Sequence, residues 1–398
     1  MSKEIIYLDY NATTPVHNHV YKNMADLLLS WGNPSSIHLS SRAPKAVLRE
    51  TRKKMADYLK CSPLEIIFNS GASEGNNTVL KTVWSYFGFD NVYNNKIKNE
   101  FIVSQVEHPS VLKTMQYLET LGAVVHYIPV LRTGEIDIQF IKSHLNEKTA
   151  LVSVMMANNE TGNIFPISEI TDLVKKNNTL MHTDCVQAFG KMNFNFESLQ
   201  IDYATFSGHK FYALKGCGVL FVKKNSPYVN LIHGGGQERS RRGGTENILA
   251  IASFGLMLDQ VSEIEIEQTR LQNLRNYFEA EILKKITQVT VTGLESARLP
   301  NTSSLVIKDC DGETLLVSLD IKGFAVSTGA ACSSGSPEPS PTLLALGLSA
   351  AEAQNSLRVS LGWMTTKEDI DLFISELIQI VIRLRSLSAS SHSEVTNG

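Results

Sequence analysis

The 398-residue chain is poor in cysteine, with Cys61, Cys185, Cys217, Cys310 and Cys332 scattered along it. No two of them form a CxxC pair, so neither a disulfide framework nor a zinc site is expected. The odd, sparse set points to a reducing compartment. No apolar run approaches the length of a membrane span. The polar start, Met1-Ser2-Lys3-Glu4, lacks the apolar core of a signal peptide. Lysine and arginine (37) nearly balance aspartate and glutamate (40), for a net charge of −3. With no basic stripe, a nucleic-acid partner is not expected. Neither a Walker A loop nor a GxGxxG fingerprint occurs, so nucleotide binding is not indicated. Together these absences point to a cytoplasmic enzyme or binding protein without metal.

What is present suits a folded α/β protein. Hydrophobic residues make up 43% and charged residues 19%, enough for a sizeable core. Short β-like runs alternate with helical patterns, which predicts a mostly parallel sheet. Strands are expected at Glu65–Ser70, Phe101–Ser104, Thr149–Met156, Leu180–Asp184, Asp202–Phe206 and Gly218–Val222. A long charged helix, Ile264–Lys285, leads into a second lobe with strands near Val289–Thr292 and Thr302–Ile307. The expected division is a large domain over 16–262 and a smaller α+β domain over 1–15 and 263–387. A polar, disordered tail is expected over 388–398.

Polar groups collect at the strand ends. His108 follows one strand and precedes Pro109, which suits a first helical turn. Asn159 follows the next, and Asp184 closes another, with Gln187 three residues on. Ser207-Gly208-His209-Lys210 follows the run ending at Phe206. Parallel strands share one C-terminal edge, so these groups should converge there. The turn Gly71-Ala72-Ser73-Glu74-Gly75 between a strand and a helix, starting near Asn76, can form an anion site. A lysine desolvated at a strand end is poised to form a Schiff base with a carbonyl. Each signal alone is equally compatible with a turn lysine, a structural histidine or a capping serine. The 26-residue interval from Asp184 to Lys210 leaves room for a crossover helix between neighbouring strands.

Set around a pyridoxal 5'-phosphate ring, each group finds a task. Lys210 makes the Schiff base. Asp184 keeps the pyridine nitrogen protonated, and Gln187 donates to the phenolic oxygen. His108 stacks on the ring and carries protons. Ala72, Ser73, Ser207 and His209 hold the phosphate. Arg358, within a strand-like run, is apt for a carboxylate. Cys332 sits in a Gly/Ser/Pro-rich loop without apolar neighbours.

These motifs resemble the cysteine desulfurases of the nitrogenase-associated and iron–sulfur-assembly type, in the fold-type I aminotransferase superfamily. The resemblance rests on Tyr7-Leu8-Asp9-Tyr10-Asn11-Ala12-Thr13-Thr14-Pro15, Gly32-Asn33-Pro34-Ser35-Ser36-Ile37-His38, Glu107-His108 and Asn158-Asn159-Glu160-Thr161-Gly162. It continues through Ser207-Gly208-His209-Lys210, Arg242-Gly243-Gly244-Thr245-Glu246-Asn247 and Gly329-Ala330-Ala331-Cys332. It spans nearly the whole chain. It implies conversion of L-cysteine to L-alanine, with the sulfur passing to Cys332 as a persulfide. Asn159 and Arg358 would hold the substrate. Thr245 would reach the cofactor phosphate of the partner subunit in a homodimer. An iron–sulfur scaffold or another acceptor protein would receive the sulfur. A selenocysteine lyase or another fold-type I enzyme is the alternative. The chain departs from the family pattern at Ser73, where threonine is frequent, and at Cys185, where alanine is usual.

Overall fold

The computed structural model describes residues 5–89, 97–329 and 338–395. Twelve strands are arranged in three sheets. They are β1 (Ile6–Tyr7), β2 (Ile66–Asn69), β3 (Glu100–Ser104), β4 (Val124–Ile128), β5 (Thr149–Ser153) and β6 (Leu180–Asp184). The rest are β7 (Tyr203–Ser207), β8 (Gly218–Val222), β9 (Val289–Val291), β10 (Thr302–Ile307), β11 (Phe324–Ala325) and β12 (Ser356–Ser360).

The main sheet has seven strands in the order β2-β8-β7-β6-β5-β3-β4. Only β8 runs against its neighbours, so the sheet is mostly parallel. Its strands are apolar on both faces, as burial between helix layers requires. Successive residues alternate between those faces. Ile66, Phe68, Ile102, Val152, Ala204, Phe206 and Val219 enter one core. Ile67, Phe101, Val103, Leu151, Tyr203 and Leu220 enter the other. Helix Ala72–Phe87 lies close on β7, where a Cβ at Gly75 would sit 2.8 Å from Thr205 Cγ2.

A further core gathers Leu8 with Phe278, Ile282, Leu305, Leu319, Leu357, Val359 and Phe373. It covers the antiparallel sheet β12-β10-β9, packed by helices Val261–Lys285, Gly312–Lys322 and Lys367–Val395. The β1–β11 ladder adds the first strand of the chain to residues more than three hundred positions later. No described helix is long and apolar enough to cross a membrane.

Three details differ from the sequence reading. The helix after β2 begins at Ala72, four residues before Asn76 (76 − 72), because Gly71 ends the strand and the close packing of Gly75 and the bonds of Asn76 to Asp184 and Thr205 outweigh their poor helix propensity. The connection from β6 to β7 holds a single 3-10 turn, Glu197–Leu199, rather than a crossover helix. Asn193, Asn195 and the αL residue Gln200 favour turns over helix there. The closing helix continues past Leu387 to Val395, since no glycine or proline interrupts it before Gly398. Residues 396–398 lie outside the described residues.

The helix Arg42–Leu59 is amphipathic as expected, yet it buries a charge. Arg52 makes a bidentate pair with Glu238, at 2.8 and 2.5 Å. Arg52 Nη1 also donates to Ile66 O at 2.6 Å, and Phe68 N–H donates to Glu238 Oε2 at 2.9 Å. The side chains are 7% and 1% exposed, so little water is available to replace a lost partner. Removing one member of such a pair strands the other charge. Glu238→Ala is therefore expected to cost about 3–5 kcal/mol, read as a lower urea midpoint. A loss below about 1 kcal/mol would mean that water solvates Arg52 in the variant.

Candidate active site

The C-terminal ends of β6 and β7 set the centre. The two strands are hydrogen-bonded neighbours, with Asp184 in register with Thr205. Asp184 ends β6, and Lys210 closes the 3-10 turn that follows β7. The Asp184 carboxylate is buried and fully engaged. Oδ2 accepts from Asn76 Nδ2 at 2.8 Å, and Oδ1 accepts from Val186 N–H at 2.9 Å. Thr205 Oγ1 donates to Asn76 Oδ1 at 2.6 Å, which fixes which way that amide points.

The Lys210 amine donates to the carbonyl oxygens of Asn11 and Ala12, the latter at 2.5 Å. Two neutral carbonyls compensate poorly for a lost hydration shell. Burial lowers its pKa to about 8, and the Arg358 charge pushes the same way, against Asp9 and Asp184. A far larger neutral fraction than an ordinary lysine keeps, about a tenth at pH 7, is thus available for nucleophilic attack.

His108 caps helix Pro109–Glu119, accepting from Ser110 N–H at Nδ1 (3.1 Å). Accepting at Nδ1 leaves the ring proton on Nε2 in the neutral tautomer. The ring keeps an exposed side but is otherwise surrounded by protein. That burial lowers its pKa, with Lys210 adding to the effect and Asp184 opposing it. Its neighbour Glu107 is fully buried. One carboxyl oxygen accepts from Met155 N–H and the other has no described partner. Burial, with the Asp184 charge adding to it, pushes its pKa well above the usual carboxylate range.

Gln187 donates from Nε2 to Asn11 O at 3.0 Å and accepts at Oε1 from Lys191. His209 Nδ1 pairs with Thr13 Oγ1 at 3.1 Å, and burial lowers its pKa to about 4. Ser207 is buried at the end of β7. Ala72 and Ser73 open the helix Ala72–Phe87, whose N-cap Gly71 offers no side-chain acceptor. The first helical N–H groups are left for an anion. Gly218 makes room for this turn, since a Cβ there would lie 2.6 Å from Gly71 Cα.

Arg358, on β12, is buried as an inward arginine. Nη2 donates to Asp9 at 2.7 Å and Nη1 to Asn159 O at 3.2 Å, while Nε has no described partner. Asn159 is thus placed beside it through its carbonyl. Thr245 is exposed and lines a cavity of about 250 Å³ together with Asn69, Ser70 and Arg242. Arg242 is tied there to Glu74 at 2.8 and 3.0 Å. Cys332 lies outside the described residues. Among the described residues no cluster of three His, Cys, Asp or Glu could hold a metal.

The residues present fit pyridoxal phosphate. A fixed carboxylate, a desolvated amine, a neutral histidine and an uncapped helix N-terminus share one sheet edge. Sequence reading missed Asp9, Asn11, Asn76 and Lys191, all of which organise this edge. Asn76 did carry a signal, as asparagine in a helix interior is unfavourable unless its side chain has other work.

The aminotransferase class-V family model matches residues 6–373. A cysteine desulfurase IscS from Dictyoglomus turgidum is 40% identical over 388 residues, covering 97% of each chain. A cysteine desulfurase from Trichormus azollae is 39% identical, covering 98% of this chain and 96% of its own. Among solved structures, a NifS-like protein superposes with a TM-score of 0.87 at 36% identity, covering 95% of this chain and 99% of that one. A NifS-like protein from Rickettsia africae gives 0.84 at 33% identity, covering 95% and 99%. With a family match over most of its length and relatives this similar end to end, the chain belongs to the aminotransferase class-V family, among its cysteine desulfurases.

Proposed function

We propose that this protein is a pyridoxal-phosphate-dependent desulfurase that converts L-cysteine to L-alanine and carries the sulfur on Cys332. The observation that carries this reading is the placement of Asp184 at the end of β6 and Lys210 in the turn after its neighbour β7, with the amine held near pKa 8. The cofactor, when bound, supplies a carbonyl that captures amines and a ring that spreads negative charge from the substrate Cα. Asp184 would pair with the ring nitrogen and keep it protonated. Gln187 would donate to the phenolic oxygen. Ala72, Ser73, Ser207 and His209 would hold the phosphate, joined by Thr245 from the second subunit of a homodimer. Asn159 and Arg358 orient the substrate carboxylate.

Lys210 takes the Cα proton and returns a proton to the product carbon. His108 carries protons for the substrate thiol through Nε2, the ring nitrogen not engaged with Ser110. The Cβ–S bond breaks, and the sulfur atom joins the Cys332 sulfur. L-cysteine plus enzyme thiol gives L-alanine plus enzyme persulfide, so this half-reaction balances without an outside reductant. The persulfide is then passed to an acceptor, such as an iron–sulfur scaffold protein in the cytoplasm. No feature of the described residues favours a selenocysteine lyase or another fold-type I reaction.

Three measurements test this reading. The pKa of Lys210 is lowered, so its neutral form grows as pH rises through about 8. The rate at which cofactor-free protein attaches pyridoxal phosphate, followed by visible absorbance, should climb through that pH and level off above it. A rate flat from pH ~6.5 to ~9.5 would show that the amine is not the titrating nucleophile.

Arg358→Ala should raise KM for L-cysteine, reflecting roughly 1.5–3 kcal/mol of lost charge-assisted binding. An unchanged KM with poor folded yield would make Arg358 only the partner of Asp9.

Cys332→Ser should still bind cofactor and substrate, yet release almost no alanine from L-cysteine. Peptide mass spectrometry should find no persulfide on that variant. Full alanine production by it would refute sulfur transfer to Cys332.

A further inference from the structure

Lys191 is the least expected charge in the protein. It is 7% exposed, and no described carboxylate lies within ion-pair distance of its Nζ. Its contacts are two amide oxygens: Asn11 Oδ1 at 2.9 Å and Gln187 Oε1. The charged and titratable groups that act on it are Lys210, Arg358 and Asp9, and it acts in turn on His209. Burial, with the Lys210 and Arg358 charges, drives its pKa well below the ordinary lysine value. Such a group is costly to bury, and hydrophobic packing would fill the space more cheaply.

The lysine head faces two oxygens, and even without its charge an amine has two hydrogens to donate to them. A primary amide has an acceptor on one side and donors on the other, and it can turn over. Facing Lys191, Gln187 must present its oxygen, which turns Nε2 away. One Nε2 hydrogen then goes to Asn11 O at 3.0 Å, and among the described residues no acceptor takes the second. Asn11 is fixed by the same rule: its Oδ1 meets Lys191 and Asn301, and its Nδ2 meets Asn159 O and Thr302 Oγ1.

We infer that Lys191 is a positioning residue whose amine, by donating to Gln187 Oε1, fixes the Gln187 amide, so that Gln187 offers a donor, never an acceptor, to the active site. This rests on the proposed function, in which that donor meets the phenolic oxygen of pyridoxal phosphate. A donor there stabilises negative charge on the oxygen. Without it, the proton shared near that oxygen is held more tightly, and the pH midpoint of the cofactor's visible band moves up.

The test is a spectral pH titration of pyridoxal-phosphate-loaded protein. Lys191→Met should raise the midpoint by about one pH unit, the scale of one hydrogen bond to a charged group. Lys191→Gln, whose amide permits both orientations of Gln187, should give a smaller rise. Gln187→Leu should give a rise like that of Lys191→Met. Adding Lys191→Met to Gln187→Leu should then move the midpoint no further, because the lysine acts through the glutamine. A merely structural lysine would leave the midpoint in place while lowering the melting temperature. That result, or additive shifts in the double variant, overturns the inference. If Lys191→Met does not fold, the Lys191→Gln and Gln187→Leu pair and their double variant decide the matter alone. Wild-type protein that develops no visible band with the cofactor would instead refute the proposed function itself.

Discussion

Every polar atom of Asn11 is occupied, and the site depends on that. Its N–H donates to Ser360 Oγ, its carbonyl receives Gln187 and Lys210, and its amide meets Lys191, Asn301, Asn159 and Thr302. One buried residue thus joins the ends of β6 and β7 to β10 and β12, which belong to a different sheet and a different core. Seven bonds on one side chain and one peptide unit leave no alternative rotamer of similar energy. A substitution would strand several buried partners at once, each at about 1–3 kcal/mol. The Lys210 amine, the Gln187 amide and, through the Asn159 carbonyl, Arg358 therefore share one reference point near the start of the chain.

The electrostatics follow from the same crowding. Lys191, Lys210, His209 and Arg358 press together, while Asp9 and Asp184 answer them only partly. The excess of buried positive character suits an anionic ligand with a phosphate, a phenolic oxygen and a carboxylate. It also makes amines poor proton holders, which is the condition for a nucleophilic lysine.

The sheet was legible because its strands are apolar runs bounded by turn residues, and β8 and β10 fall where those runs lie. So were the strand-end groups, since a parallel sheet sends them to one edge. Distances between segments far apart in sequence were not legible. Asp9 looked like the end of a strand, and only the fold sets it against Arg358, 349 positions away. Nothing in the local sequence singles out Lys191; its amine is held by Asn11, which arrives from the other end of the chain. The irregular link between β6 and β7 was misread because interval length permits a helix without requiring one. Asn193, Asn195 and Gln200 decided otherwise.

The remaining thiols have a bearing on where sulfur can travel. Burial raises the pKa of Cys61 and of Cys217 to about 12, and pushes Cys185 and Cys310 upward as well. A protonated thiol attacks neither a persulfide nor a disulfide at a useful rate, because the thiolate is the nucleophile. With so little thiolate, these four residues are poor competitors for a sulfur atom on its carrier. Cys185 is the sharpest case, since it adjoins Asp184 at the centre of the site and is nevertheless chemically quiet. A protein that handles a mobile sulfur atom thereby keeps its own interior from competing with the acceptor for it.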